Sequence, residues 1–135
     1  MKKMVSCGIA IVITACCLAS AQDVDFEVES SLLIKGKALK QVFDGKSAAS
    51  HPSWSPMKEK CPLSPSKATQ LVIGKLGKAA THLKLCAINL ERVPGMQDKW
   101  YYIVNLLEDP ESMEGDYANV IVCLNGKVPK FQKEE

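Results

Sequence analysis

The sequence lacks the short motifs that mark the common enzyme and metal-binding families. It has no C-x-x-C or H-E-x-x-H spacing for zinc, no glycine-rich phosphate loop and no G-x-S-x-G nucleophile turn. Only two histidines are present, and the acidic loop from Asp109 to Asp116 does not follow EF-hand calcium spacing. We therefore expect no catalytic residue, no metal site and no cofactor, and the chain is not predicted to be an enzyme.

The sequence also lacks a large excess of charge of either sign. The formal net charge is +2, and removing Lys2 and Lys3 from the 17 basic residues leaves as many as the 15 acidic ones. A protein that binds nucleic acid needs a clustered basic surface. The charge balance thus argues against nucleic acid as a partner, and it gives no reason to expect attachment to a membrane surface by charge.

The apolar run near the N-terminus is too short to span a membrane. It covers 15 residues, Met4 to Leu18, whereas a spanning helix needs roughly 20. Lys2 and Lys3 precede the run, and Ala19-Ser20-Ala21 follows it as an A-x-A cleavage site. This pattern predicts a secretory signal peptide over residues 1–21 and export of the rest, to the periplasm or the medium.

A second cleavage site competes with the first. Ile13-Thr14-Ala15-Cys16 matches the lipobox of bacterial lipoproteins, which would give a signal over residues 1–15 and a lipidated Cys16 at the mature N-terminus. A lipid chain there would tether the protein to an envelope membrane. The signal segment and this anchor are the only membrane contacts that the sequence predicts.

Cysteine usage leaves an odd number of thiols after export. Three of the six cysteines lie in the targeting segment, and Cys61, Cys86 and Cys123 remain. Export permits a disulfide, but spacing alone cannot give its connectivity. Cys86 and Cys123 fall in predicted strands with apolar neighbours, which favours buried thiols over a disulfide.

Turn residues divide the mature chain into two parts. Residues 22–62 read as a strand hairpin followed by a loop rich in proline and serine, and residues 63–135 as a helix, three strands and a short tail. Ser64 caps the helix and Pro65 suits its first position. The helix is expected to end between Leu76 and Ala80.

The stretch from Trp100 to Leu107 is the densest aromatic and β-branched run and is predicted to be the central strand. Strands over Leu83–Val93 and Asp116–Leu124 flank it, and Asn125-Gly126 predicts a type I′ turn before a solvated tail. The apolar face of such a sheet needs a cover, and the helix supplies one. We expect an α+β fold with two layers, one helix packed on a three- to five-stranded antiparallel sheet.

Two aromatic residues are candidates for contact with a partner. Trp54 stands in a polar, proline-rich loop, so that its ring either folds back onto the domain or contacts an envelope protein or peptide. Tyr101 has the opposite strand parity from Trp100 and Tyr102, which places it on the sheet face away from the helix.

Three segments together resemble a known unit: Leu63-Ser64-Pro65-Ser66-Lys67-Ala68, Lys99 to Val104, and Val120 to Val128. They are similar to the PepSY-like α-β-β-β domain of exported bacterial proteins, over about Leu63 to Val128. The turn at Asn125-Gly126 is shorter than the family's, and two glycines interrupt the helix. The resemblance implies a binding or inhibitory module of the envelope, often proposed to restrain peptidases, and it supplies no catalytic residues.

The leading hypothesis is therefore a small exported, non-enzymatic binding or inhibitory module of the cell envelope. One alternative is an envelope metal or thiol protein that uses Cys61 with His51 or His82, because a thiolate and an imidazole can share a metal or a proton. A further alternative is a structural lipoprotein anchored through Cys16.

Overall fold

The computed structural model describes residues 26–134, so the predicted signal peptide and the lipidation site at Cys16 lie outside the described residues. Within this range no helix is both long and apolar enough to cross a membrane. The elements, in chain order, are β1 (Glu27–Ile34), β2 (Lys37–Asp44), α1 (Gly45–Ala49), α2 (Pro65–Leu76), a 3-10 turn (Gly77–Ala80), β3 (Lys84–Arg92), β4 (Trp100–Asp109), β5 (Glu114–Cys123) and β6 (Gln132–Lys133).

All of these strands join one antiparallel sheet in the order β3-β4-β5-β1-β2-β6. The predicted two-layer α+β fold is therefore wrong, because the protein is mainly β, with 43% strand and one helix of more than five residues in the described range. The hairpin β1–β2 enters the sheet through Leu32 and Leu33, which pair with Ala118 and Tyr117. The first part of the chain and the helix–strand part thus share one sheet.

The C-terminal tail is also part of the sheet rather than solvated. Leu39 pairs with Lys133 and Lys40 with Gln132, which makes β6 the edge beyond β2. The preceding Phe131 packs against the main core cluster. Because the tail carries only one large apolar residue among charged ones, its strand pattern is too weak to predict this pairing.

Helix α2 forms as predicted and covers one face of the sheet. The Oγ of Ser64 accepts a hydrogen bond from the backbone N–H of Lys67 at 3.1 Å, and Pro65 is the first helical residue. Ala68 and Val72 of the helix are fully buried. They meet a face built from nine buried residues of β1, β4 and β5 with the residue that follows β5: Leu32, Ile34, Tyr102, Val104, Leu106, Ala118, Val120, Val122 and Leu124.

A second, smaller core lies on the opposite face and is covered by the hairpin. Its buried members are Phe43, Ala48, Val93, Tyr101, Ile121 and Cys123. Leu32 and Val28 have the same parity in β1, yet Leu32 packs beneath α2 and Val28 against this second cluster. The hairpin therefore pairs with β5 only at Tyr117 and Ala118 and crosses the edge of the strand beyond them. Without the hairpin, β3, β4 and β5 would leave the face opposite α2 exposed.

Gln41 holds the crossing together. Its side chain is fully buried, and the carboxamide makes four hydrogen bonds. Oε1 accepts from the Ser30 hydroxyl at 2.8 Å and from the backbone N–H of Ile121 at 2.7 Å. Nε2 donates to the carbonyls of Ile121 at 3.2 Å and Pro129 at 2.9 Å. The amide thereby replaces the strand partner that β5 loses where the hairpin leaves it.

The predicted place of β4 between β3 and β5 is confirmed, since these strands pair with its two edges. In the six-stranded sheet, however, β4 is second from one edge and is not the central strand. The turn after β5 differs from the prediction. Gly126 has a φ of 87°, but Asn125 does not adopt a positive φ, so the turn is not type I′. The Oδ1 of Asn125 instead accepts a hydrogen bond from the backbone N–H of Lys127 at 2.9 Å.

Candidate functional site

Trp54 folds back onto the domain and is not an exposed contact. Its side chain is 8% exposed. The ring meets Trp100 edge-on at 5.7 Å between centroids, and its Nε1 donates to the carbonyl of Glu59 at 3.1 Å. Of the two expectations for this ring, the structure shows the internal one.

Tyr101 lies on the predicted face but is only 5% exposed. Its ring is 5.3 Å from that of Phe43, and burial raises the pKa of its hydroxyl. The hairpin covers this face, so Tyr101 is a core residue in this structure and cannot serve as a partner contact. The sequence around Tyr101 does not reveal this burial, because the covering hairpin lies some sixty residues earlier in the chain.

Cys61 is not brought together with either histidine. Its thiol donates to the carbonyl of Leu63 at 3.0 Å and lies 3.4 Å from the hydroxyl of Tyr102. Tyr102, which Cys61 contacts, pairs with Val122 of β5. His82 contacts Asp116 of the same strand, which is six residues, or about 20 Å, from Val122.

His51 stacks on Phe43 in the second core, on the other side of the sheet from the cluster that Cys61 packs against. A thiol–imidazole pair at Cys61 is therefore absent from the described structure.

The three cysteines of the described range are free. Cys123 is buried, and this burial raises the pKa of its thiol to about 12. Cys86 is exposed, contrary to the prediction, because the register with β4 shifts between Leu85 and Ala87. This bulge turns Cys86 out of the alternating pattern from which its burial was predicted.

The fold does bring together a histidine and two carboxylates that no sequence pattern groups. His82 precedes β3, Glu108 lies near the end of β4 and Asp116 near the start of β5. Nε2 of His82 is 2.7 Å from Oδ2 of Asp116, and one donor atom from each of the three residues lies within 4.8 Å of the others. We call these three residues the His82 cluster.

Backbone groups fix the carboxylates of the His82 cluster. The N–H of Lys35, in the β1–β2 turn, donates to Oδ2 of Asp116 at 2.9 Å, and the N–H of Asp116 donates to Oε1 of Glu108 at 2.9 Å. The hydrogen bond from Lys35 and then that with His82 lower the pKa of Asp116. Gly115 has a φ of 91°, and a Cβ there would lie 2.6 Å from Oε1 of Glu108, so only glycine allows this approach.

A polar groove of about 490 Å³ runs over the open part of the sheet face opposite α2. Asn105 and Asn119 form its floor with Ile103, and Glu29, Lys40 and Glu134 line its sides. Nδ2 of Asn105 donates to Oδ1 of Asn119 at 2.6 Å, and Oδ1 of Asn105 accepts from Asn89 at 3.1 Å. These amides already satisfy one another in a ladder across three strands.

An apolar cleft of about 320 Å³ opens at the end of α2. We call it the lysine-rimmed cleft, because apolar walls are accompanied by three exposed lysines, Lys35, Lys37 and Lys75. Its apolar lining comes from β1, β2, the end of α2 with the following turn, and the segment before β6: Ile34, Leu39, Leu76, Ala79 and Phe131. The sequence does not reveal this cleft, because its walls come from elements that lie far apart in the chain.

A second apolar groove, of about 250 Å³, also reaches the end of α2 at Leu76 and has no lysine in its lining. Ile73 and Leu85 contribute to it and are about half exposed. The cationic rim therefore distinguishes the first cleft.

Comparison with protein families, with characterised proteins and with solved structures finds no match for this chain.

Proposed function

We propose that this protein is a small exported, non-enzymatic binding module of the cell envelope, and that it takes a single-chain anionic amphiphile in the lysine-rimmed cleft. A fatty carboxylate is the simplest ligand of this class. The observation that carries the proposal is that apolar residues and three lysines line one cleft.

The walls supply the affinity for an alkyl chain. Leu39, Leu76 and Phe131 are only partly buried, so a bound chain would remove their exposed apolar surface from water. Each methylene buried contributes about 0.8 kcal/mol. A volume of about 320 Å³ is at the small end of ligand pockets, which favours one chain over a two-chain lipid.

The lysines supply the preference for a negative head group. Two of them, Lys35 and Lys37, come from the β1–β2 turn region, and Lys75 comes from the last turn of α2. A carboxylate bound at the mouth of the cleft would be near these cations. Single exposed ion pairs contribute little, but several cations around one anion beside an apolar wall act together.

The polar groove is the weaker candidate for the same role. Its asparagine amides are already hydrogen-bonded to one another, and a polar ligand would have to replace both these bonds and bound water. Hydrophobic burial, the main source of affinity in small sites, is available in the lysine-rimmed cleft instead.

Titration of the protein with dodecanoate by calorimetry tests the proposal. We expect dodecanoate to bind and dodecanol, which has the same chain without the charge, to bind about tenfold more weakly. Replacing Lys35, Lys37 and Lys75 together by glutamine should lower dodecanoate affinity about tenfold, which corresponds to 1.4 kcal/mol.

A matched variant controls for the loss of net charge. Lys46, Lys58 and Lys60 are exposed and lie outside the cleft, so their replacement by glutamine should leave dodecanoate affinity unchanged. Equal losses in the two triple variants, or equal binding of dodecanoate and dodecanol, would contradict the proposal.

The inhibitory role implied by the PepSY-like resemblance stays a prediction, as do an envelope protein or peptide partner and lipid anchoring through Cys16.

A further inference from the structure

The geometry points to a second, independent site: we propose that the His82 cluster binds a divalent zinc ion through Nε2 of His82 and the carboxylates of Glu108 and Asp116. This site lies beyond the proposed amphiphile binding and does not depend on it.

Three elements of the fold supply the residues of the His82 cluster. The 3-10 turn after α2 delivers His82, and β4 and β5, which are joined by one loop, deliver Glu108 and Asp116. Two ligands that each stand about 2.1 Å from zinc are separated by roughly 3 to 4 Å. The three donor atoms already lie within 4.8 Å of one another, so binding requires only side-chain adjustment.

The donor set selects zinc over the hard cations. One imidazole nitrogen and two carboxylate oxygens are common zinc ligands and leave one tetrahedral position open for water. Calcium takes six to eight oxygen ligands and magnesium prefers oxygen in an octahedron, so neither matches a site with only three protein donors, one of them an imidazole nitrogen.

The surrounding hydrogen bonds hold the Asp116 carboxylate in place. Its Oδ2 accepts from the backbone N–H of Lys35 at 2.9 Å and lies 2.7 Å from Nε2 of His82. Zinc would take the place of the hydrogen bond between His82 and Asp116 and would leave the N–H of Lys35 as an outer support of the carboxylate.

Exposed Cys86 is the competing zinc ligand in this part of the chain, since thiolates bind zinc well. The experiment therefore uses the processed protein and its H82Q, D116N, C86S and E111Q variants, each titrated with zinc chloride at pH 7.5. His82 and Asp116 are only partly buried, so these variants should fold, and circular dichroism checks that they do.

We expect one zinc per chain, with affinity reduced at least tenfold in H82Q and in D116N. C86S and E111Q should bind as the wild type does, because Cys86 and Glu111 lie outside the cluster. Glu111 is the matched control, being an exposed carboxylate of the same β4–β5 loop region.

Histidine NMR gives the second readout. The chain has two histidines, and zinc should shift the imidazole resonances of His82 while those of His51 stay in place. If His82 does not shift, or if C86S loses the zinc that H82Q keeps, the proposal is overturned. Binding of magnesium or calcium at the same affinity as zinc would also overturn it.

Discussion

At the scale of single residues, a buried glutamine sets the shape of the sheet. Gln41 looks like an ordinary polar position of an exposed strand in the sequence, between Lys40 and Val42. In the structure its carboxamide uses both donors and both acceptors at the crossing of β2 over β5. A fully satisfied buried network specifies one arrangement, because any shift of the hairpin leaves polar groups without partners.

Replacement of Gln41 by leucine should therefore lower the free energy of unfolding by about 3 kcal/mol, since the N–H and carbonyl of Ile121 lose their partner while buried. Q41E should also destabilise, because a carboxylate cannot donate to the carbonyls of Ile121 and Pro129. Urea denaturation measures both changes. The control is Gln70→Leu on the exposed side of α2, for which we expect a change within about 0.5 kcal/mol.

At the scale of elements, the C-terminal segment has more influence than its two-residue strand suggests. Phe131 packs against the main core and lines the lysine-rimmed cleft, and β6 fixes it there by pairing with β2. A segment of a few residues with one apolar side chain gains its order from the surface that it meets, not from its own propensity.

Phe131→Ala should accordingly lower the free energy of unfolding by about 1 to 2 kcal/mol, because a half-buried aromatic ring is lost. The exposed neighbour Gln132 serves as the control, and Gln132→Ala should be nearly neutral. Denaturation by urea compares the two. Equal stability of both variants would show that the tail is not docked in solution.

At the scale of the whole molecule, the second core ties the hairpin, α1 and the loop after it to the sheet. His51 is buried there, stacked on Phe43 at 5.5 Å, and its Nδ1 has no hydrogen-bond partner within residues 26–134. Burial, followed by the charges of Lys127 and Lys99, lowers the pKa of His51. The Lys99 ammonium also donates to the His51 carbonyl.

We expect this depressed pKa of His51 to make the stability of the fold sensitive to mild acid. The unfolded chain binds a proton on His51 near pH 6.5 while the folded protein resists it, so stability is full above that pH and falls as the pH is lowered. We expect the midpoint of urea unfolding to fall between pH 7.5 and pH 5.5.

The same comparison of urea midpoints in the His51→Leu variant tests whether His51 causes this pH dependence. Its pH dependence over this window should be smaller than that of the wild type, although its stability at neutral pH also changes. Asp98, Asp109 and Asp116 have lowered pKa values and affect stability only at lower pH, so they leave this window clear. An unchanged pH dependence in His51→Leu would count against the assignment.

Local patterns in the sequence determined the elements that depend on neighbouring residues. The Ser64 cap and Pro65 define the start of α2, the aromatic alternation around Trp100 defines β4, and both agree with the structure. Capping and strand alternation act over a few residues, which is why one sequence suffices to predict them. The hairpin strands on either side of Lys35-Gly36 belong to the same class.

Only the tertiary structure decided how many strands share the sheet, what covers its second face and which side chains meet. The Gln41 crossing, the docking of Phe131, the His82 cluster and the lysine-rimmed cleft each join segments far apart in the chain. For the same reason the two candidate contact residues, Trp54 and Tyr101, prove to be core residues. Such long-range packing depends on how distant segments fit together in three dimensions, and a local hydrophobic pattern does not predict it.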